Sequence, residues 1–158
     1  MYIYNIKGVI TMVQVLKASA RKLPEGMQVD TGARGFKILL DEPEDLGGTD
    51  KGMNPVEAVL GALGACQTIV AFAFAEAKGI DLQEFEVDVE GDLDTDGFLG
   101  LSDVRPGCSE IRFNIHVKSS NSEEEIAEFI DFVEKTCPVG DMLENGVKLV
   151  RSNIIVEN

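Results

Sequence analysis

Asn54-Pro-Val-Glu57-Ala-Val-Leu-Gly-Ala-Leu-Gly-Ala-Cys66-Gln-Thr-Ile-Val-Ala-Phe-Ala-Phe-Ala-Glu-Ala-Lys78-Gly79 is the stretch on which the fold turns. Its first residues carry three helix-start signals: Asn54 as N-cap, Pro55 at the first helical position, and Glu57 three residues after the cap. Gly79 supplies the stop, so the sequence predicts a helix from Pro55 to about Lys78. Within it, Ala58 to Ala75 is a run of 18 residues with only Gln67 and Thr68 polar. A membrane span needs roughly 17–25 such residues, so the run reaches only the short limit. Gly61, Gly64 and the two polar residues interrupt it, Glu57 and Glu76 flank it, and the rest of the chain offers amphipathic strands that need a core to cover. A helix apolar on every side in that setting is read as a central buried helix, with no membrane partner.

Upstream, Val13–Ala18, Met27–Asp30 and Phe36–Leu40 read as strands of a meander, and 41–53, with Gly47, Gly48 and Gly52, as a flexible connection. Met12 precedes the first well-patterned strand. Residues 1–11 are therefore expected to be an N-terminal extension, and 12–158 one domain. Downstream, Glu84–Glu90 alternates cleanly: Phe85, Val87 and Val89 on one face, acids on the other. Ile111–Val117 repeats the pattern. Ser122-Glu-Glu-Glu125 is a capping box opening a second helix, whose apolar stripe is Ile126, Phe129, Ile130 and Val133. A short helical turn is expected after Pro138, and Val147–Val156 as a closing strand. The order predicts an α+β fold, with two main helices on antiparallel sheet.

Composition narrows the function classes. Asp and Glu number 28 against 14 Lys and Arg, a formal charge of −14, which disfavours nucleic acid and anionic membranes as partners. The N-terminus has no basic start with a sustained apolar core, so a signal peptide is not expected. Three scattered cysteines, Cys66, Cys108 and Cys137, do not make a secreted disulfide framework and fit a reducing, cytoplasmic setting. With His116 the one histidine, no His-based metal cluster can form, and neither a metal nor a cofactor is expected.

The thiols are the main candidates for chemistry. Cys137 lies 11 residues beyond Ile126, close to three full turns, so a continuing second helix would turn Cys137 toward the core and the helix carrying Cys66. Around Cys66 the helical face is Val59, Ala62, Leu63, Val70 and Ala73, while Gly61, Gly64 and Thr68 form a small-residue face that another backbone can approach. A redox pair and two buried small hydrophobes both fit this geometry. Cys137 also precedes Pro138, which places it at the N-cap of the following turn, where a thiolate is favoured.

The segments Gly52-Met-Asn-Pro-Val-Glu-Ala-Val-Leu-Gly-Ala-Leu-Gly-Ala-Cys66 and Cys137-Pro-Val-Gly-Asp-Met-Leu143, with the preceding Leu46-Gly-Gly48, resemble the two signature regions of the OsmC/Ohr family. The resemblance runs from about Met12 to the C-terminus. It implies an intertwined homodimer with a long central helix per chain. It also implies a thiol peroxidase acting on hydrophobic organic peroxides: Cys66 attacks the peroxide, Cys137 closes a disulfide with it, and a dithiol of lipoyl type reopens the bond. In the best-known branch a Glu directly follows the Asn-Pro and pairs with an activating Arg. Here Val56 holds that place and the acid is Glu57, a shift similar to the YhfA-like branch. Nine residues separate Glu57 from Cys66, which is opposite faces of one helix. Its capping role already accounts for it, and a catalytic role stays open. Arg21 is the positional match for the activating cation and Arg34 its competitor; either also reads as a solvated surface charge.

Cys108 reads as a bystander in a turn. Asp92 to Asp103 has the spacing of a calcium loop but follows a strand, so an acidic hairpin loop is the expectation. Two alternatives to a peroxidase remain: a hot-dog-type thioesterase using Glu57, and a ligand-binding or stress-associated dimer whose thiols are merely buried.

Overall fold

The structure is a computed structural model that describes residues 2–6 and 9–157. The chain forms two compact units, 1–58 and 59–158. Met1, Lys7, Gly8 and Asn158 lie outside the described residues, including that much of the expected 1–11 extension.

In the first unit, β1 (Tyr2–Ile6) and β2 (Val9–Val13) pair antiparallel in a sheet of their own. A second antiparallel sheet runs β3 (Ser19–Lys22), β4 (Val29–Ala33), β5 (Phe36–Leu40). The strand expected at Val13–Ala18 is displaced: residues 14–18 are unpaired, and the ladder begins where Ser19 meets Gly32. Alternating valines set a strand's faces, but only a partner decides where it starts. Between β4 and β5 the chain reverses in two residues, Arg34 and Gly35, with φ of 55° and 91°. Both being left-handed is the geometry that matches strand twist in a tight hairpin, and Arg is an uncommon residue to accept it.

The connection expected to be flexible is tied down by Asp41. Its Oδ2 accepts the Thr49 hydroxyl at 2.6 Å and the Thr49 and Lys51 backbone N–H groups at 3.0 and 3.2 Å. Gln28 donates to the same Thr49 hydroxyl oxygen at 2.7 Å. These bonds, led by the Thr49 hydroxyl, hold the Asp41 carboxyl down at about 2.

Helix α1 (Pro55–Phe74) starts in the first unit and runs into the second. Asn54 and Glu57 form the predicted reciprocal cap: the Asn54 N–H donates to Glu57 Oε2 at 2.7 Å, and the Glu57 N–H to Asn54 Oδ1 at 2.9 Å. A 3-10 turn, Glu76–Lys78, follows and ends at Gly79 with φ of 72°.

In the second unit β6 (Leu82–Asp92) and β7 (Glu110–Ser119) pair antiparallel. Phe85 faces Val117, Val87 faces Ile115 and Val89 faces Phe113 on one side; on the other, Glu84 meets Lys118 and Glu90 meets Arg112. A short helix α2 (Thr95–Leu99) lies in the connection. Ser122 and Glu125 make the predicted capping box of α3 (Glu123–Thr136), and α4 (Pro138–Asn145) follows. The core joins Val70, Ala71 and Ala75 of α1, Ile80, Phe85 of β6, and Phe129 and Val133 of α3. Each large side chain so buried contributes roughly 1.5–3 kcal/mol.

The closing strand at Val147–Val156 does not form. Those residues pair with nothing among the described residues, and Leu149 and Ile155 are 91% and 84% exposed.

Candidate active site

Cys66 sits in the middle of α1, half-buried and packed against the core cluster. The buried stripe of α1 is Leu63, Gly64, Gln67, Val70 and Ala71, whereas Val59, Ala62 and Ala73 of the expected thiol face are exposed. The chain alone covers one side of this helix, the side toward β6 and α3. Of the small-residue face, Gly64 meets the expectation: a Cβ there would sit 3.4 Å from the Val87 carbonyl oxygen. At Gly61 nothing lies within 4 Å.

Cys137 is 1% exposed, one helical turn beyond Val133, as the stripe spacing predicts. It closes α3 and caps α4 at once. With φ −72° and ψ 110° it ends one helix, and its Sγ accepts the Gly140 backbone N–H at 3.3 Å. Pro138 occupies the first position of α4, where its missing N–H costs nothing. Leu63 also lies near this first turn, 3.8 Å from where a Cβ on Gly140 would be.

The two sulfurs, 71 residues apart in sequence, are neighbours in space. Burial pushes the Cys66 thiol up, and the adjacent Cys137 thiol pushes it the same way; the Val139 backbone N–H acts in the opposite sense. The Gly140 N–H in the first turn of α4 donates to the Cys137 sulfur, while the Val139 N–H of the same turn acts to lower the Cys66 thiol. Sequence reading placed Cys137 at this N-cap but did not anticipate that the same turn reaches Cys66. It also missed Gln67, beside Cys66, which is 2% exposed with its Oε1 buried and unpartnered. A polar residue in an apolar helix was the available signal.

Of the remaining candidates, Glu57, Arg21 and Arg34 belong to the first unit, and Cys108, His116 and the acidic connection to the second. The exposed Glu57 has its carboxylate engaged with Asn54. Arg21 is on β3 opposite Asp30, and Arg34 is at the β4–β5 turn with its guanidinium 5.6 Å over the Phe36 ring. Both line a groove of about 300 Å³ in the first unit, with Ser19, Asp30, Phe36 and Lys37. Cys108 Sγ lies 3.0 Å from where a Cβ on Gly91 would be. His116 Nε2 is 3.4 Å from Asp88 on the polar face of β7. In the acidic connection, Asp92 pairs with Arg112 at 2.6 Å and Asp94 caps α2 by accepting the Asp96 N–H. Among the described residues no three His, Cys, Asp or Glu side chains converge to hold a metal ion.

Comparison with known proteins agrees with the fold. The sequence model of the OsmC-like protein family matches residues 48–150. A hydroperoxide reductase of Mycoplasma genitalium is 37% identical over 138 residues, covering 85% of this chain and 90% of its own. A hydroperoxide reductase of Mycoplasma pneumoniae is 38% identical, covering 77% of this chain and 81% of its own. The crystal structure of an OsmC-like protein from Mycoplasma pneumoniae, 32% identical, superposes with a TM-score of 0.74 over 84% of this chain and 89% of that one. With its α+β architecture and both cysteine segments inside the matched region, the chain belongs to the OsmC-like protein family.

Proposed function

We propose that this protein is a thiol-dependent peroxidase that reduces organic hydroperoxides through Cys66 and Cys137. The observation that carries the proposal is the meeting of the two sulfurs at the first turn of α4, with apolar core residues around Cys66. The names of the two Mycoplasma relatives support the substrate class. In the proposed cycle the Cys66 thiolate attacks the distal peroxide oxygen, giving the sulfenic acid and releasing the alcohol. Cys137 then displaces water to form the disulfide, and a dithiol reductant returns both thiols. Because burial raises the Cys66 thiol, a cation must favour its thiolate. Arg21 is proposed for that part, with Arg34 as the competing choice.

The active unit is proposed to be a homodimer. Helix α1 is long and apolar enough to cross a membrane, yet only 28% of its apolar window is buried within the chain. Its Ile69 and Phe72 are open, as are Phe36 and Ile38 on β5 and the apolar residues of 147–156. A second copy of the chain is the proposed cover. A hot-dog-type thioesterase would rely on Glu57, whose carboxylate is occupied by the helix cap, so the redox reading is preferred.

The test is a count of free thiols before and after one equivalent of cumene hydroperoxide, followed by peptide mapping. Loss of two thiols and a Cys66–Cys137 crosslink is expected. Cys66→Ser should abolish peroxide consumption, whereas Cys137→Ser should form one sulfenic acid and stall. A dominant disulfide containing Cys108, or no thiol loss, would sink the proposal.

A further inference from the structure

Charge is unevenly spread along this chain. Lys17, Arg21, Lys22, Arg34 and Lys37 face only Glu25 and Asp30 within 17–37, an excess of three positive charges in a molecule of net −14. Strands β3 to β5 carry that segment and shape the groove of about 300 Å³. Opposite residues of an antiparallel ladder share a face. Ser19, Gly32 and Lys37 therefore form one row across the sheet and Arg21 and Asp30 the next, while Phe36 and Ile38 turn to the other face. The basic rows thus lie on the side away from the apolar residues given to a second copy. Gly32 keeps the middle of its row bare, because a Cβ there would overlap the Phe36 carbonyl oxygen.

Lys37 is paired with Asp30 at 2.5 Å, so the one carboxylate lining the groove is already spent, whereas Arg21 and Arg34 have no ion pair among the described residues. Arg34 also holds the first position of the tight β4–β5 turn with φ of 55°, where Asn or Gly is favoured. Strain of that kind persists where the side chain it presents is used. The Arg34 guanidinium lies 5.6 Å from the Phe36 ring centroid. A guanidinium is flat, so the ring engages one face and leaves the other to the groove that Arg34 lines.

We propose that this groove binds a small, flat organic monoanion, an aromatic carboxylate. The carboxylate meets the Arg21 guanidinium through two parallel N–H···O bonds, the Ser19 hydroxyl donates to it across the bare Gly32, and the ring stacks on the free face of Arg34. The volume is at the low end for a small-molecule site, roughly 300–1,000 Å³, which keeps the ligand small. A singly charged ligand is favoured over phosphate because the negative molecule repels an anion in proportion to its charge. The site lies within the first unit and does not rest on the peroxidase reading. That reading uses Arg21 for the same property, attraction of an anion, and the test keeps the thiolate and the carboxylate apart.

The full-length, isotope-labelled protein is titrated with benzoate, with benzyl alcohol (the ring without the charge) and with inorganic phosphate (the charge without the ring), and binding is mapped by amide chemical shifts. Benzoate is expected to saturate, moving the Ser19, Arg21, Gly32 and Gly35 amides, with the same affinity in Cys66→Ser. The other two probes should bind at least tenfold more weakly. Arg34→Asn, which suits the left-handed turn position, should raise the melting temperature and weaken benzoate at least fivefold. Arg21→Lys, which keeps the charge but loses the fork, should weaken it too. If a variant fails to fold, the comparison of the three probes on wild-type protein still decides. No saturable benzoate shift, phosphate binding as tightly, or shifts confined to residues outside 19–37 would overturn the proposal. So would full affinity in Arg34→Asn, and loss of binding in Cys66→Ser would give the anion to the thiol site instead.

Discussion

Glu57 is the residue at which helix architecture and family resemblance assign different work, and substitution there separates them. Its carboxylate accepts the Asn54 N–H at 2.7 Å, while Asn54 Oδ1 accepts the Glu57 N–H at 2.9 Å. Glu57→Ala deletes the first bond and leaves the second. Loss of a whole cap costs about 0.5–2 kcal/mol, and with half of it retained about 0.5–1 kcal/mol is expected. For a chain of this size that is a fall of roughly 1–4 °C in melting temperature. Glu57→Gln keeps an acceptor oxygen at the same place and should melt near wild type. Neither change should alter the rate of Cys66 oxidation, because a carboxylate spent on a backbone amide is not orienting an arginine. The assay pairs thermal unfolding, followed by circular dichroism, with stopped-flow oxidation by an organic hydroperoxide. A drop of about a hundredfold in rate for Glu57→Gln, about 2.7 kcal/mol of barrier, at unchanged melting temperature would refute the capping argument.

Three further outcomes are expected. A Cβ on Gly48 would overlap the Glu42 carbonyl oxygen. Gly48→Ala should therefore break the Gly48–Pro43 and Asp50–Glu42 backbone bonds and cost about 2–4 kcal/mol in urea unfolding; a change within about 0.5 kcal/mol, the usual range for a harmless surface substitution, would show that the turn adapts. Asp41, held at about 2 against an ordinary 3.8, contributes stability that is complete above about pH 4 and is lost as pH falls through 2. Asp41→Asn should flatten that part of the stability–pH profile, and parallel profiles would contradict it. Gln67→Met removes a buried, unpartnered oxygen and should stabilise by about 1 kcal/mol; destabilisation would mean that Oε1 has a partner in the working assembly.

What was legible in the sequence was whatever is decided locally. The Asn54–Glu57 and Ser122–Glu125 caps each lie within four residues and could be read directly. The alternation of β6 and β7 fixed which residues face the core, because side-chain direction has a period of two whatever the partner. Cys137 reached the core because its offset from Ile126 is a whole number of turns. What failed depended on partners remote in sequence. The first meander strand starts later than its valines suggest because its ladder is set by Gly32 and Thr31, and 147–156, though apolar, pairs with no strand among the described residues. Asp41 gave no signal among the acids of its loop, since only the folded chain brings Thr49 and Lys51 to it. The role of the Val139 and Gly140 amides was out of reach for the same reason: two thiols at one helix end is a tertiary fact.

The β6–β7 pair also says where this chain can change length. Its apolar and charged faces are separated residue by residue from Phe85 to Asp92 and from Glu110 to Val117. Inserting one residue inside either strand would exchange the faces beyond that point, putting acids against α1 and valines into water. The connection 93–109 is under no such constraint of parity. Doubling it would add about 0.6 kcal/mol of closure entropy, less than the loss of one buried methylene. Insertions and deletions tolerated by this fold should therefore gather between Asp92 and Glu110, with the strands on either side keeping their count.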